Sequence, residues 1–198
     1  LDLYPDVFVG RAPVGTAIEA ETFVQKTFEY ISNADPVFAE RNLYMAEVLF
    51  PYDWVPGTIP SVDGAFDVVE PTLPLVPPNI HICRLYANWT QYPGSWPLTR
   101  ESAIDSINMG YNIVSHIAHG NKDIMRCGLH DYLTMQDVDD LINGQDKAGY
   151  FWLMDCSTTA IEYDCIAEHL MNNPNGGASS LFGPTRYCFP TTAKDYYY

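Results

Sequence analysis

Two stretches decide how this chain is read: "SHIAHGN", residues 115–121, and "WLMDCST", residues 152–158. Each carries an apolar run into a residue that can do chemistry, His119 in the first and Cys156 in the second, with small or polar residues after it. In their wider form, "YNIVSHIA" (111–118) and "GYFWLMD" (149–155), these runs read as strands buried on both faces, as in a parallel sheet. Working outward, further strands are expected at "DVFVGRAP" (6–13), "NLYMAEVLF" (42–50), "NIHICRLYA" (79–87) and "ASSLFG" (178–183). Helical spacing runs between them. "TAIEAETFVQKTFEYISNA" (16–34) places Ile18, Phe23, Phe28 and Ile31 at helical intervals and starts with a Thr16/Glu19 capping box. "PLTRESAIDSINMG" (97–110) has Thr99 as N-cap and Gly110 past its end. "LTMQDVDDLING" (133–144) and "EYDCIAEHLMN" (162–172) supply two more helices, and the Pro- and Gly-rich "PYDWVPGTIPSVDG" (51–64) an exposed loop. The alternation predicts an α/β fold, a mostly parallel sheet with helices on both faces.

Composition bounds the function. An apolar fraction of 47% excludes disorder, and no run approaches the ~18 residues of a membrane span. The net charge of −15 argues against nucleic acid as a partner, because phosphate contacts need a basic face. Such acidity suits basic substrates, a structural Ca²⁺ or simple solubility. Five cysteines, at 83, 127, 156, 165 and 188, form no CxxC pair, and their odd number leaves at least one thiol free or paired with another chain. "NWT" (88–90) matches a glycosylation sequon. No linker divides the chain, so 1–198 reads as one domain; the abrupt ends, "LDLYPDVFVG" and "TTAKDYYY", read as those of a processed or partial chain.

In open α/β sheets, ligands sit beyond the carboxyl ends of the strands, and both His119 and Cys156 occupy that rim. A thiol there can serve as a nucleophile in its thiolate form, with imidazole as its proton partner. Gly120 lets a substrate approach the backbone, and the N–H groups of Gly120 and Cys156 are natural oxyanion donors. Two other readings compete. Cys156 can be an ordinary core thiol. Alternatively His116, His119, Cys127 and His130 offer the ligand count of a tetrahedral zinc site, although His116 and His119 fall on opposite faces of an extended strand.

An apolar block ending in His-Gly, followed by one ending in Cys, resembles the caspase-like superfamily, and most closely its gingipain-type cysteine peptidases. The stretches "PDVFVGRAPV", "AIDSINMGYNIVSHIAHGN", "LTMQDVDDLING" and "CSTTAIEYDCIAEHLMNNPNGGASSLFGPTR" carry the resemblance over most of the chain. It implies a caspase-like α/β/α sandwich and a cysteine endopeptidase acting on peptide or protein substrates. No cofactor would be required, the protein would be secreted or at the cell surface, and an N-terminal segment of the same protein is a possible partner. Cys156 matches the nucleophile, His119 the catalytic histidine and Gly120 the glycine that follows it. Ala118 and Asp155 stand where the family often has Gly and a small residue. A carboxylate at 155 pointing inward would oppose thiolate formation; strand alternation should turn it away. By spacing, Asp53 matches the carboxylate that orients the histidine. Asp63, with Asp67 as its rival, matches the acidic group of a pocket for basic side chains, and Arg186 in "GPTRY" sits near that pocket's wall. A non-catalytic peptidase-like surface or assembly module is the remaining alternative.

Overall fold

The computed structural model describes residues 9–33 and 35–190. The strand expected at 6–13 lies partly outside them, and its described part is irregular. Ten strands are described: β1 (Arg41–Ala46), β2 (Val48–Phe50), β3 (Val62–Asp63), β4 (His81–Tyr86), β5 (Trp96–Pro97), β6 (Ile113–Ile117), β7 (Ile124–Arg126), β8 (Tyr132–Thr134), β9 (Tyr150–Leu153) and β10 (Ser180–Phe182). The helices are α1 (Ala17–Ser32), α2 (Pro36–Ala39), α3 (Glu70–Thr72), α4 (Arg100–Asn108), α5 (Met135–Asp139) and α6 (Ile166–Asn172).

Six strands form one parallel sheet in the order β10-β9-β6-β1-β4-β5, and β2-β3 and β7-β8 are separate antiparallel pairs. From β1 the chain winds one way through β4 to β5, then crosses to β6 and winds the other way through β9 to β10. The switch point therefore falls between β1 and β6, where an open α/β sheet leaves a crevice for ligand. Alternation sorts the core into two clusters. Leu43, Met45, Val114, Phe151 and Leu153 meet Ile107 of α4, Val138 of α5 and Leu170 of α6. Tyr44, Ala46, Ile117 and Met154 face the other way, against Ala65, Val68 and Val69 of a π-helical turn (Ala65–Val69) leading into α3. Burying each large side chain contributes about 1.5–3 kcal/mol, so a one-residue slip of any central strand would exchange core for site.

Local signals set most boundaries. Thr16 caps α1 with the Glu19 box, and Thr99 caps α4 in a reciprocal pair with Ser102. Gly110 takes φ +76° past the α4 C-terminus. Three expectations change. The run at 42–50 is split at Glu47, so β1 stays in the main sheet while β2 leaves it to pair with β3. Residues 62–63 of the expected loop are that β3 strand, with Asp63 buried. On α1, Ile18, Phe28 and Ile31 are exposed; Thr22 and Lys26 are its buried residues. The Lys26 Nζ donates to the carbonyls of Leu170, Met171 and Ala178 at 3.1, 2.9 and 3.2 Å. Three acceptors consume all three ammonium protons and satisfy carbonyls at the α6 C-terminus, although burial pushes the amine down to about 7.

Candidate active site

The parallel register pairs His116 with Leu153, and the Met154 N–H continues it by donating to the His116 carbonyl at 2.8 Å. The ladder ends there; His119 lies two residues past Ile117 and Cys156 two past Met154, residues that face the same side of the sheet. The chain stays close beyond the strands. A Cβ built on Gly120 would lie 2.8 Å from the Asp155 Cβ and 3.2 Å from the Thr158 Cγ2. The glycine is thus demanded by the protein's own neighbouring strand end.

His119 sits in a rigid cage. Its N–H donates to Glu47 Oε2 at 3.0 Å, and Glu47 Oε1 accepts from Arg126 Nε at 2.8 Å in an ion pair buried on both sides. Arg126 lies over the Tyr52 ring at 4.2 Å. The His119 ring stands between Tyr52, at 4.9 Å, and Phe50, at 5.6 Å. His119 Nε2 is 2.7 Å from the Leu49 carbonyl. A carbonyl only accepts, so this bond fixes the Nε2–H tautomer and leaves Nδ1 as the basic nitrogen. Burial pushes the Glu47 carboxyl up, and the His119 N–H and Arg126 pull against it.

Cys156 is half-buried. Its Sγ–H faces the Cys188 carbonyl at 3.5 Å, and its Sγ accepts from the Cys188 N–H at 3.3 Å. Ser157 follows with φ 58°, in the left-handed region, turning the chain sharply away and presenting Cys156 at the tip. Among the described residues no hydrogen bond joins His119 to Cys156, and the N–H groups of Gly120 and Cys156 donate to nothing. Catalytic hydrogen bonds often close only with substrate in place.

Asp155 turns to the opposite face. It is fully buried, with His116 Nδ1 at 2.9 and 3.0 Å from its two oxygens. Burial pushes the Asp155 carboxyl up. Burial alone would lower His116, but the Asp155 carboxylate reverses that and raises it to about 10. Both Asp155 oxygens are engaged by His116 on the face away from Cys156, so Asp155 sets no bare anion under the thiol.

The remaining sequence candidates separate. Asp53 is exposed on the turn after β2 and makes no hydrogen bond among the described residues. The groups at His119 are instead the Leu49 carbonyl and Glu47. A single carboxylate inside the apolar run "YMAEVLF" was the available signal for Glu47. Asp63 is buried on the site's face of the sheet, taking the N–H of Ala65 at 2.9 Å, the Tyr92 hydroxyl at 2.9 Å and Asn88 Nδ2 at 3.3 Å. That bond engages the amide of the sequon asparagine. Asp67 caps the Asp63 N–H at 2.8 Å, and Glu70 holds Arg84 at 2.8 Å. Burial, then Asp63, raises the Tyr92 phenol. Arg186 is exposed and paired with Glu162. His116, His119, Cys127 and His130 build no zinc site: among the described residues, no three His, Cys, Asp or Glu side chains are placed to hold a metal ion. No described helix is long and apolar enough to cross a membrane.

A family model for peptidase family C25 matches residues 1–198. The chain is similar to the crystal structure of the Arg-specific cysteine proteinase gingipain R, with a TM-score of 0.72 and 20% identity over 98% of this chain and 44% of that one. It is also similar to the complex of Porphyromonas gingivalis RgpB pro- and mature domains, with a TM-score of 0.71 and 18% identity over 97% of this chain and 44% of that one. The chain thus spans less than half the length of these structures, and at such identities they show the fold: the caspase-like α/β architecture. No curated protein sequence matches it.

Proposed function

The chain belongs to peptidase family C25, and from that premise we propose that it carries the catalytic machinery of a cysteine endopeptidase. Cys156 attacks the scissile carbonyl as thiolate, and the N–H groups of Gly120 and Cys156 receive the oxyanion. His119 Nδ1 takes the Cys156 thiol proton, hands it to the leaving amine, and then takes one from the water that releases the acyl group. The observation that carries this reading is the pairing of β6 with β9, neighbouring strands whose ends lead into His119 and Cys156. The test is labelling by a peptide electrophile that mimics the scissile bond, read by mass spectrometry alongside hydrolysis. Labelling at Cys156 with loss of hydrolysis is expected. Hydrolysis that survives in Cys156→Ala overturns the mechanism, and loss of activity to EDTA restored by zinc alone would return attention to a metal.

For substrate class, we propose cleavage after a basic residue. Asp63 supports this, being a buried carboxylate held by neutral donors with no cation of the described chain paired to it. Arg186, the counter-candidate, has its charge taken up by Glu162. A P1 Arg would gain a charge-assisted bond, bidentate in form, and a mismatched side chain would leave the site's charge unpaired. A positional-scanning peptide library should show a P1 Arg or Lys preference that weakens in Asp63→Asn. An acidic or apolar preference in the wild type ends this proposal; a basic preference unchanged in Asp63→Asn passes the role to Asp67. Export, and a further segment of the same protein as partner, belong to the same proposal; the pro-domain complex among the similar structures supports the second.

A further inference from the structure

The contact that holds Cys156 comes from another cysteine. The segment Gly183–Cys188 docks along the turn after Cys156 through three bonds: Thr159 Oγ1 to the Gly183 carbonyl at 2.8 Å, Thr159 N–H to Pro184 at 3.3 Å, and Ser157 N–H to Arg186 at 2.8 Å. These bonds deliver Cys188, whose N–H and carbonyl both engage the Cys156 sulfur. A residue's Cβ lies about 2.5 Å from its own nitrogen. With that nitrogen 3.3 Å from Cys156 Sγ, the Cys188 Cβ cannot be more than about 6 Å from it. A side-chain rotation and a small shift of the segment bring the two within bonding geometry. The other thiols are elsewhere. Cys127 is buried and Cys83 half-buried in the core cluster on the opposite face of the sheet, and Cys165 is buried at the start of α6.

We propose that Cys156 and Cys188 form a redox modification site, in which a peroxide converts the candidate nucleophile into a reversible Cys156–Cys188 disulfide. The proposal rests on the reading of Cys156 as a reactive thiolate. In the first step the Cys156 thiolate attacks a peroxide oxygen; the O–O bond breaks, Cys156 becomes a sulfenic acid and hydroxide leaves. In the second, the Cys188 thiolate attacks the Cys156 sulfur; the S–S bond forms, and the sulfenic oxygen leaves as water with the proton lost by Cys188. The two-electron oxidation of the thiols balances the two-electron reduction of the peroxide. Burial, then the charges of Cys156 and Asp155, push the Cys188 thiol up to about 11, which keeps Cys188 protonated while Cys156 reacts. The Cys156 contribution vanishes once that residue is a neutral sulfenic acid. Trapping at the disulfide stops the climb to irreversible sulfinic acid and stores the nucleophile in a form that a dithiol restores.

The test treats wild type, Cys188→Ser and Cys188→Ala with hydrogen peroxide, then with dithiothreitol. Linked peptides are mapped by mass spectrometry, and recovered Cys156 is counted by iodoacetamide labelling. Both variants keep the backbone bonds to Cys156. In the wild type a Cys156–Cys188 peptide should accumulate, and recovery should exceed that of either variant by on the order of tenfold, the variants having passed to sulfinic acid. Equal recovery in all three, a linkage of Cys156 to another cysteine, or Cys156 left unoxidised would each overturn the proposal. Hydrolysis that persists with Cys156 and Cys188 fully linked supports the disulfide and removes the peptidase reading, so the two failures are read separately.

Discussion

At the end of β6, His119 is fixed by charge and by aromatic packing: its N–H sits on Glu47, Glu47 on Arg126, Arg126 on Tyr52, and Tyr52 against its own ring. At the end of β9, Cys156 is held by the backbone of one returning segment, on a turn with a left-handed Ser157. The buried His116–Asp155 pair lies beneath both ends. The difference teaches that, on the proposed mechanism, the base is placed before any substrate arrives, whereas Cys156 has to leave its contacts with Cys188 to act. Pre-placed polar groups need no reorganisation at the moment of reaction; a thiol on backbone hydrogen bonds can turn at small cost.

The largest expected effects come from removing either end. Cys156→Ala and His119→Ala should each lower kcat for peptide hydrolysis by roughly 10⁴–10⁶, with circular dichroism spectra unchanged. A Cys156→Ala protein that keeps most of its activity would break the comparison by removing the nucleophile from it. Next come the buried charges. Glu47→Ala leaves Arg126 without its carboxylate, and Asp155→Ala leaves His116 without its own; each should cost about 3–5 kcal/mol in urea unfolding. The double variant His116→Asn/Asp155→Asn should cost clearly less than the sum of its single variants, because no uncompensated charge remains.

A third effect follows from protons. His116 is raised from its ordinary value to about 10, so its stabilisation is complete below pH about 6.5 and is lost as pH rises through 10. Lys26, lowered to about 7, acts the other way, its stability contribution growing from pH 7 towards the alkaline range. The difference in unfolding free energy between wild type and the double Asn variant isolates the pair, and should shrink from pH 6.5 to 10. A difference that stays flat with pH would show that the pair shares no proton. Smallest is the surface. Arg186→Ala removes an exposed pair with Glu162 and should change stability by less than about 1 kcal/mol, with no change in P1 preference. A new preference would place Arg186 in the pocket after all.

Local rules were legible where neighbours in sequence settle them. The Thr16 and Thr99 caps, the Gly110 stop and the buried strands around Val114 and Phe151 all depend on residues within a turn or a strand of one another. What failed was decided at a distance. Periodicity predicts an apolar inward face for α1, yet only Phe23 of that set packs on the core, and the buried positions are Thr22 and Lys26, the latter giving its protons to three carbonyls some 150 positions later. Spacing points to Asp53, yet Asp53 lies on an exposed turn, the His119 ring is bonded to the Leu49 carbonyl, and the carboxylate on the His119 backbone N–H is Glu47, which reads in the sequence as an interruption of a strand.

The sequence by itself determined the parallel α/β sheet and the two strands that end on His119 and Cys156, because the period of apolar residues and the positions of caps are properties of the local chain. Only the tertiary structure decided the rest: that β6 lies beside β9, that Asp155 turns to His116 on the face away from the thiol, and that the Cys188 backbone returns to the Cys156 sulfur. Those are through-space events between residues far apart in the chain, fixed by hydrogen bonds and by the cost of burying charge, and no pattern along one strand records them.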